Sequence, residues 1–94
     1  MRIAALIVAA GRGTRFGGEI PKQYVPIHGT CAFRRSIDRF LSCRDVHHVQ
    51  GVIHGDDRGY YEDALHGLHH PQLAAPVTGG ATRAQSVLRG LMAL

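Results

Sequence analysis

Glycines and cations crowd one short stretch of this chain. Gly11, Gly13, Gly17 and Gly18 stand with Arg12, Arg15 and Lys22 directly after the apolar run Ile3–Ala9. Glycine lets backbone N–H groups come close to a ligand, and guanidinium and ammonium groups answer negative charge. Together they predict a cradle for a phosphate-bearing small molecule. A second glycine turn, Thr78-Gly79-Gly80, stands just ahead of Arg83 and Ser86. The bland alternatives are solvated cations at Arg15, Lys22 and Arg83, a first-turn helix serine at Ser86, and a plain turn at Gly79-Gly80.

Two common phosphate loops are excluded. Gly11-Arg12-Gly13-Thr14-Arg15-Phe16-Gly17 misses the dinucleotide spacing by one residue. That fingerprint also opens a helix, whereas Gly17-Gly18 and Pro21 hold the chain in a loop. Ile53-His54-Gly55 supplies no acidic residue for a ribose, and no Gly-Lys-Ser/Thr completes a Walker A loop. The histidines give no zinc pattern. His47-His48, His66, His69 and His70 lack Cys, Asp or Glu partners at matching distances, so structural or surface roles are expected. Asp56 and Asp57 precede a helical pattern and are explained by capping. No metal ligand is assigned within the chain.

The elements that must hold these residues follow from periodicity. Ile3–Ala9 is apolar on both faces and predicts a central parallel strand. Residues 11–21 are loop, and Tyr24–Ile27 a short extended piece. Phe33, Ile37, Phe40 and Leu41 mark an amphipathic helix over Cys31–Ser42, with Thr30 as its N-cap. Val46–His54 is the second strand. Arg58–Leu68 is a helix that His69-His70-Pro71 should end. Leu73–Val77 is the third strand. The last helix starts near Thr82 and should bury Ala84, Val87, Leu88 and Leu91. This alternation predicts an α/β fold, a parallel sheet with helices on both faces. Both glycine turns then follow strand ends and share one crevice.

Composition narrows the class. The 94 residues suit one small domain, 45% hydrophobic and 19% charged. Arg2, Arg12, Arg15 and Lys22 cluster too tightly for a nucleic-acid face, and no aromatics interleave with them. Cys31 and Cys43 form no CxxC pair, and both are expected as idle thiols. No signal-peptide pattern and no membrane-length apolar run is present. A cytoplasmic location is the default expectation. The chain ends inside an apolar helical pattern, Gly90–Leu94, without a stop signal, so it is expected to be the N-terminal piece of a longer protein.

Ala9-Ala10-Gly11-x-Gly13-x-Arg15, followed by Pro21-Lys22-Gln23-Tyr24, resembles the signature of nucleotidyltransferases that activate sugar or polyol phosphates. The Pro-Lys-Gln-Tyr form is most similar to the 2-C-methyl-D-erythritol 4-phosphate cytidylyltransferase family of non-mevalonate isoprenoid biosynthesis. Gly79-Gly80-Ala81-Thr82-Arg83-Ala84-Gln85-Ser86 resembles the second nucleotide-binding turn of that family. The resemblance implies a Rossmann-like fold, of which residues 1–94 are the N-terminal, CTP-binding part. It implies transfer of CMP from CTP to a polyol phosphate, with Arg15 and Lys22 stabilising the reacting phosphates. Ala9, Ala10, Gly11 and Gly13 would line the nucleotide, and Gly80, Arg83 and Ser86 would help read cytosine and ribose. Some members carry an acidic residue where Ala81 stands, so that side-chain contact is lost here. Mg²⁺ is implied, its aspartate ligand expected beyond residue 94, as is a possible homodimer. Ribitol 5-phosphate as acceptor, or a catalytically incomplete nucleotide-binding fragment, are the competing readings.

Overall fold

The computed structural model describes residues 2–10 and 20–94. Gly11, Gly13 and Arg15, with the rest of the 11–19 stretch, lie outside the described residues. Strand β1 is Ile3–Ala9, and the hairpin strands β2 and β3 are Pro26–Ile27 and Thr30–Cys31. Helix α1 is Ala32–Leu41, strand β4 Val46–Ile53, helix α2 Arg58–Ala64, strand β5 Val77–Thr78 and helix α3 Arg83–Ala93. Strands β1, β4 and β5 pair in parallel in the order β1-β4-β5. The alternation expected from the sequence is therefore present.

The central described strand is β4, not β1. Val49, Val52 and Ile53 are fully enclosed, whereas Ile3 is 41% exposed and β1 pairs on one side only among the described residues. Both runs are apolar, and apolarity alone does not rank strands within a sheet. Gly51 faces Phe33 of α1 and Tyr61 of α2, at 3.5 and 3.6 Å from where a Cβ would stand. The next residue, Val52, and Leu6 of β1 face Gly90 of α3. Helices thus cover both faces, as the period of two requires.

Several local expectations are corrected. Thr30 does not cap α1, because it pairs with Ile27 across a hairpin turned by His28 (φ 55°) and Gly29 (φ 83°). That left-handed pair suits a two-residue hairpin, and it leaves Cys31 at the N-cap without a side-chain bond. Helix α2 stops at Ala64, since Gly67 turns left-handed (φ 79°) well before Pro71. The expected strand Leu73–Val77 is split. Leu73 bridges Val49, then Pro76 offers no N–H and the Gln50 side chain bonds Ala75 O at 2.7 Å instead. Regular pairing resumes only at Val77–Thr78.

Helix α3 begins at Thr82 as expected, through a capping box with Gln85. Its inward face is different. Ser86 and Gly90 are buried, while Leu88 and Leu91 are 56% and 54% exposed and Ala84 is exposed. The smallest residues face the sheet because the helix lies very close to it. A Cβ on Gly90 would meet Leu6 Cδ1 at 2.4 Å and the enclosed Val52 at 2.7 Å.

Gly90→Ala should therefore destabilise the protein by about 1–3 kcal/mol in urea unfolding, despite better helix propensity. Gly59→Ala in α2, where nothing lies within 4 Å, should be neutral or stabilising by up to about 1 kcal/mol. Burial raises the Tyr61 phenol above its ordinary value near 10.0, and Arg58 pulls the other way. The unfolded chain then loses this proton first, so stability should fall as pH climbs past about 10, and Tyr61→Phe should flatten that fall in alkaline unfolding curves.

Candidate functional site

The carboxyl ends of β1, β4 and β5 meet around one cavity of about 200 Å³. Its wall includes Ala10 from the end of β1, His54 after β4, Gly80 from the second glycine turn, and Arg83 and Ser86 from α3. Such a crevice is where open α/β sheets bind ligands. Of the residues expected in a site, Ala9, Ala10, Gly80, Arg83 and Ser86 are thus gathered at one end of the sheet.

The second glycine turn is held by its own helix. Ser86, only 2% exposed, accepts the Gly80 N–H on Oγ at 3.1 Å. Gln85 Oε1 accepts the N–H groups of Ala81 and Thr82, at 2.8 and 3.3 Å. Thr82 Oγ1 accepts the Gln85 N–H at 3.1 Å, and Arg89 Nη1 donates to Gly79 O at 3.3 Å. Gly79 itself admits no side chain. A Cβ there would meet Ala10 Cβ at 2.4 Å and Ser86 Oγ at 2.5 Å. The turn therefore touches the end of β1, and the glycine is there for close approach rather than only for a bend.

Arg83 stands in the first turn of α3 and lines both this cavity and a neighbouring one beside Ala9 and Gln23. A cation at a helix N-terminus works against the helix dipole. Helix stability alone therefore does not account for its place.

Lys22 is exposed on a single 3-10 turn, Lys22–Tyr24. Its neighbours are not loose. Pro21 is buried, Tyr24 N–H donates to Pro21 O at 2.9 Å, and the Tyr24 ring packs against Phe33 and Tyr60 at 5.5 and 5.7 Å. Gln23 Nε2 donates to Ala9 O at 3.1 Å.

Two residues enter that local patterns did not pick out. Gln23 bonds a strand end fourteen residues away, which no helical or strand period reveals. His54 lines the cavity, and its Nδ1 accepts the Asp56 N–H at 3.1 Å. Its position directly after a strand was the available signal. The capping explanation for the aspartates is corrected too. Asp57 is 1% exposed at the start of α2 but makes no side-chain cap bond there, and His54 caps the preceding turn.

No three His, Cys, Asp or Glu side chains gather to hold a metal ion among the described residues. Those residues do not by themselves fit a divalent cation. No described helix is long and apolar enough to cross a membrane. Cys31 is buried and Cys43 exposed, both as free thiols.

A sequence profile of the 2-C-methyl-D-erythritol 4-phosphate cytidylyltransferases matches residues 3–94. The chain belongs to that family. It is 48% identical over 93 residues to a bifunctional enzyme IspD/IspF of Rhodospirillum rubrum, and 48% identical over 93 residues to one of Rhodopseudomonas palustris. Each match takes in 99% of this chain, but 24% and 23% of those proteins. The chain thus spans about a quarter of the length of these relatives. The crystal structure of 4-diphosphocytidyl-2C-methyl-D-erythritol synthase from Anaerococcus prevotii superposes with a TM-score of 0.75 at 27% identity, over 97% of this chain and 37% of that one. Family and fold therefore agree with the resemblance carried by the two glycine segments.

Ser86→Ala should leave the half-buried Gly80 N–H without its partner. The expected cost is about 1–2 kcal/mol in denaturant unfolding. Gly79→Ala should cost more, because Ala10 and Ser86 must both move.

Proposed function

We propose that the protein transfers CMP from CTP to 2-C-methyl-D-erythritol 4-phosphate and releases pyrophosphate, with residues 1–94 supplying the N-terminal, CTP-binding part of a single nucleotidyltransferase domain. The observation that carries this reading is the pairing of family membership over residues 3–94 with one crevice that joins the end of β1 to the second glycine turn. In the reaction, a phosphate oxygen of the acceptor attacks the α-phosphorus of CTP. The bond from that phosphorus to the bridging oxygen breaks, and pyrophosphate leaves with the electron pair.

Such a transfer needs positioning and charge neutralisation more than a protein nucleophile. Arg15 and Lys22 are assigned to the developing charge on the α-phosphate and the leaving group. One grips oxygens as a fork, and the other acts as a point charge. Ala9, Ala10, Gly11 and Gly13 would line the nucleotide through their backbone, and Gly80, Arg83 and Ser86 would meet cytosine and ribose. Ser86 would act partly through the turn it holds. Mg²⁺ would accompany the triphosphate, its aspartate ligand expected beyond residue 94, and no step above is routed through it. The reading includes a cytoplasmic enzyme that forms a homodimer.

In the full-length protein, pyrophosphate release from CTP in the presence of Mg²⁺ should require 2-C-methyl-D-erythritol 4-phosphate. Activity with ribitol 5-phosphate alone would contradict the acceptor assignment. Lys22→Ala should lower kcat by about 10²–10³, as loss of a charge stabiliser does. A near-normal rate would remove Lys22 from the reaction.

A further inference from the structure

Lys22 depends on its neighbours for its position. Its side chain is exposed on a single 3-10 turn, Lys22–Tyr24. Tyr24 secures the turn to the helices, through rings packed on Phe33 of α1 and Tyr60 of α2. Tyr24 also shares the buried cluster of Ala5 and Ala9 of β1, an apolar contact that carries no direction of its own. A hydrogen bond from Gln23 Nε2 to Ala9 O, 3.1 Å long, links the turn directly to β1. Only the NH₂ end of an amide can face a carbonyl, so its partner fixes the orientation of the Gln23 head group. Ala9 is the last residue of β1, and Ala10 beside it forms part of the crevice wall.

We propose that Gln23 is a positioning residue that ties the Lys22 turn to the end of β1, and so fixes the ammonium relative to the bound nucleotide. The role rests on the cytidylyltransferase reading. It deepens that reading, because an exposed lysine on a flexible stem stabilises a transition state only where its backbone is already in place. A misplacement of about 1 Å at a reacting centre can cost on the order of 10²-fold in rate. The half-buried amide also supplies β1 with a donor at the carbonyl where the strand ends. Met has a similar length and no donor. Glu has the same shape, but its carboxylate would face the Ala9 carbonyl oxygen and repel it.

In the full-length protein, Gln23→Met and Gln23→Glu should lower kcat by about tenfold or more, the scale of one lost, well-placed hydrogen bond. The Kd for CTP should stay within about threefold, since the cradle itself is intact. A double-mutant cycle separates positioning from general structure. Once Lys22→Ala has removed the ammonium, Gln23→Met should cost less than about twofold more. The same loss in both backgrounds, or a near-normal kcat in Gln23→Met alone, would overturn the proposal.

A readout without turnover distinguishes this proposal from the function it rests on. Saturating CTP should protect Lys22 from acetylation by acetic anhydride, read by mass spectrometry, and Gln23→Met should lose at least half of that protection. Equal protection in both proteins overturns the role of Gln23 and leaves the nucleotide site standing. Absence of both CTP binding and protection in the unmodified protein overturns the site and the role together.

Discussion

The second glycine turn lies against the end of β1 with no room for a side chain between them. Gly79 lies so near Ala10 and Ser86 that a single added carbon would stand 2.4 Å from one and 2.5 Å from the other. That approach brings the turn after β5 against the end of β1, with the end of β4 between them. It also constrains α3. A helix that begins beside such a turn and runs back over the sheet must present small residues inward, and Ser86 and Gly90 are the ones it presents. The same geometry sends Leu88, Leu91 and Met92 outward. Packing density here is bought with side-chain absence rather than side-chain size.

The chemistry follows from the seam. Ser86, Gln85 and Arg89 bond the turn after β5, and Gln23 bonds the last residue of β1. Arg83 stands at a helix start, where the dipole does not favour a cation, and it lines the crevice. Pro-Lys-Gln-Tyr then reads as a division of labour. Pro21 and Tyr24 are buried anchors, Gln23 bonds the end of β1, and Lys22 is left exposed.

Much of this was legible in the sequence because it is local. The alternation of strand and helix, the approximate bounds of α1 and β4, the start of α3 near Thr82 and the loop character of Gly79-Gly80 each follow from residues within a turn or two of one another. What failed was non-local. Periodicity assumes that the largest apolar residues point inward, and α3 reverses this because Leu6 and Val52 already fill the space below Gly90. The rank of β1 and β4 in the sheet depends on pairing, not on composition. Thr30 was taken by a hairpin partner, and the third strand was interrupted by Pro76 together with the Gln50 side chain. The bond from Gln23 to Ala9 spans a loop and leaves no period in the sequence. In the candidate site, residue types and spacing singled out Gly80, Arg83 and Ser86, which the fold gathers at the strand ends, while the place of His54 in the cavity wall and the bond of Gln23 to Ala9 depend on the folded chain.

One titration addresses the central claim, that the two glycine segments form one nucleotide site at the strand ends. Amide chemical shifts in ¹⁵N-labelled protein, followed as CTP is added, should change at Ala10, Lys22, Gly80 and Ser86 in a single saturable process with one Kd. Shifts confined to another surface, such as the groove by Ile27 and Phe40, or separate saturation of the Ala10 and Gly80 signals, would contradict it.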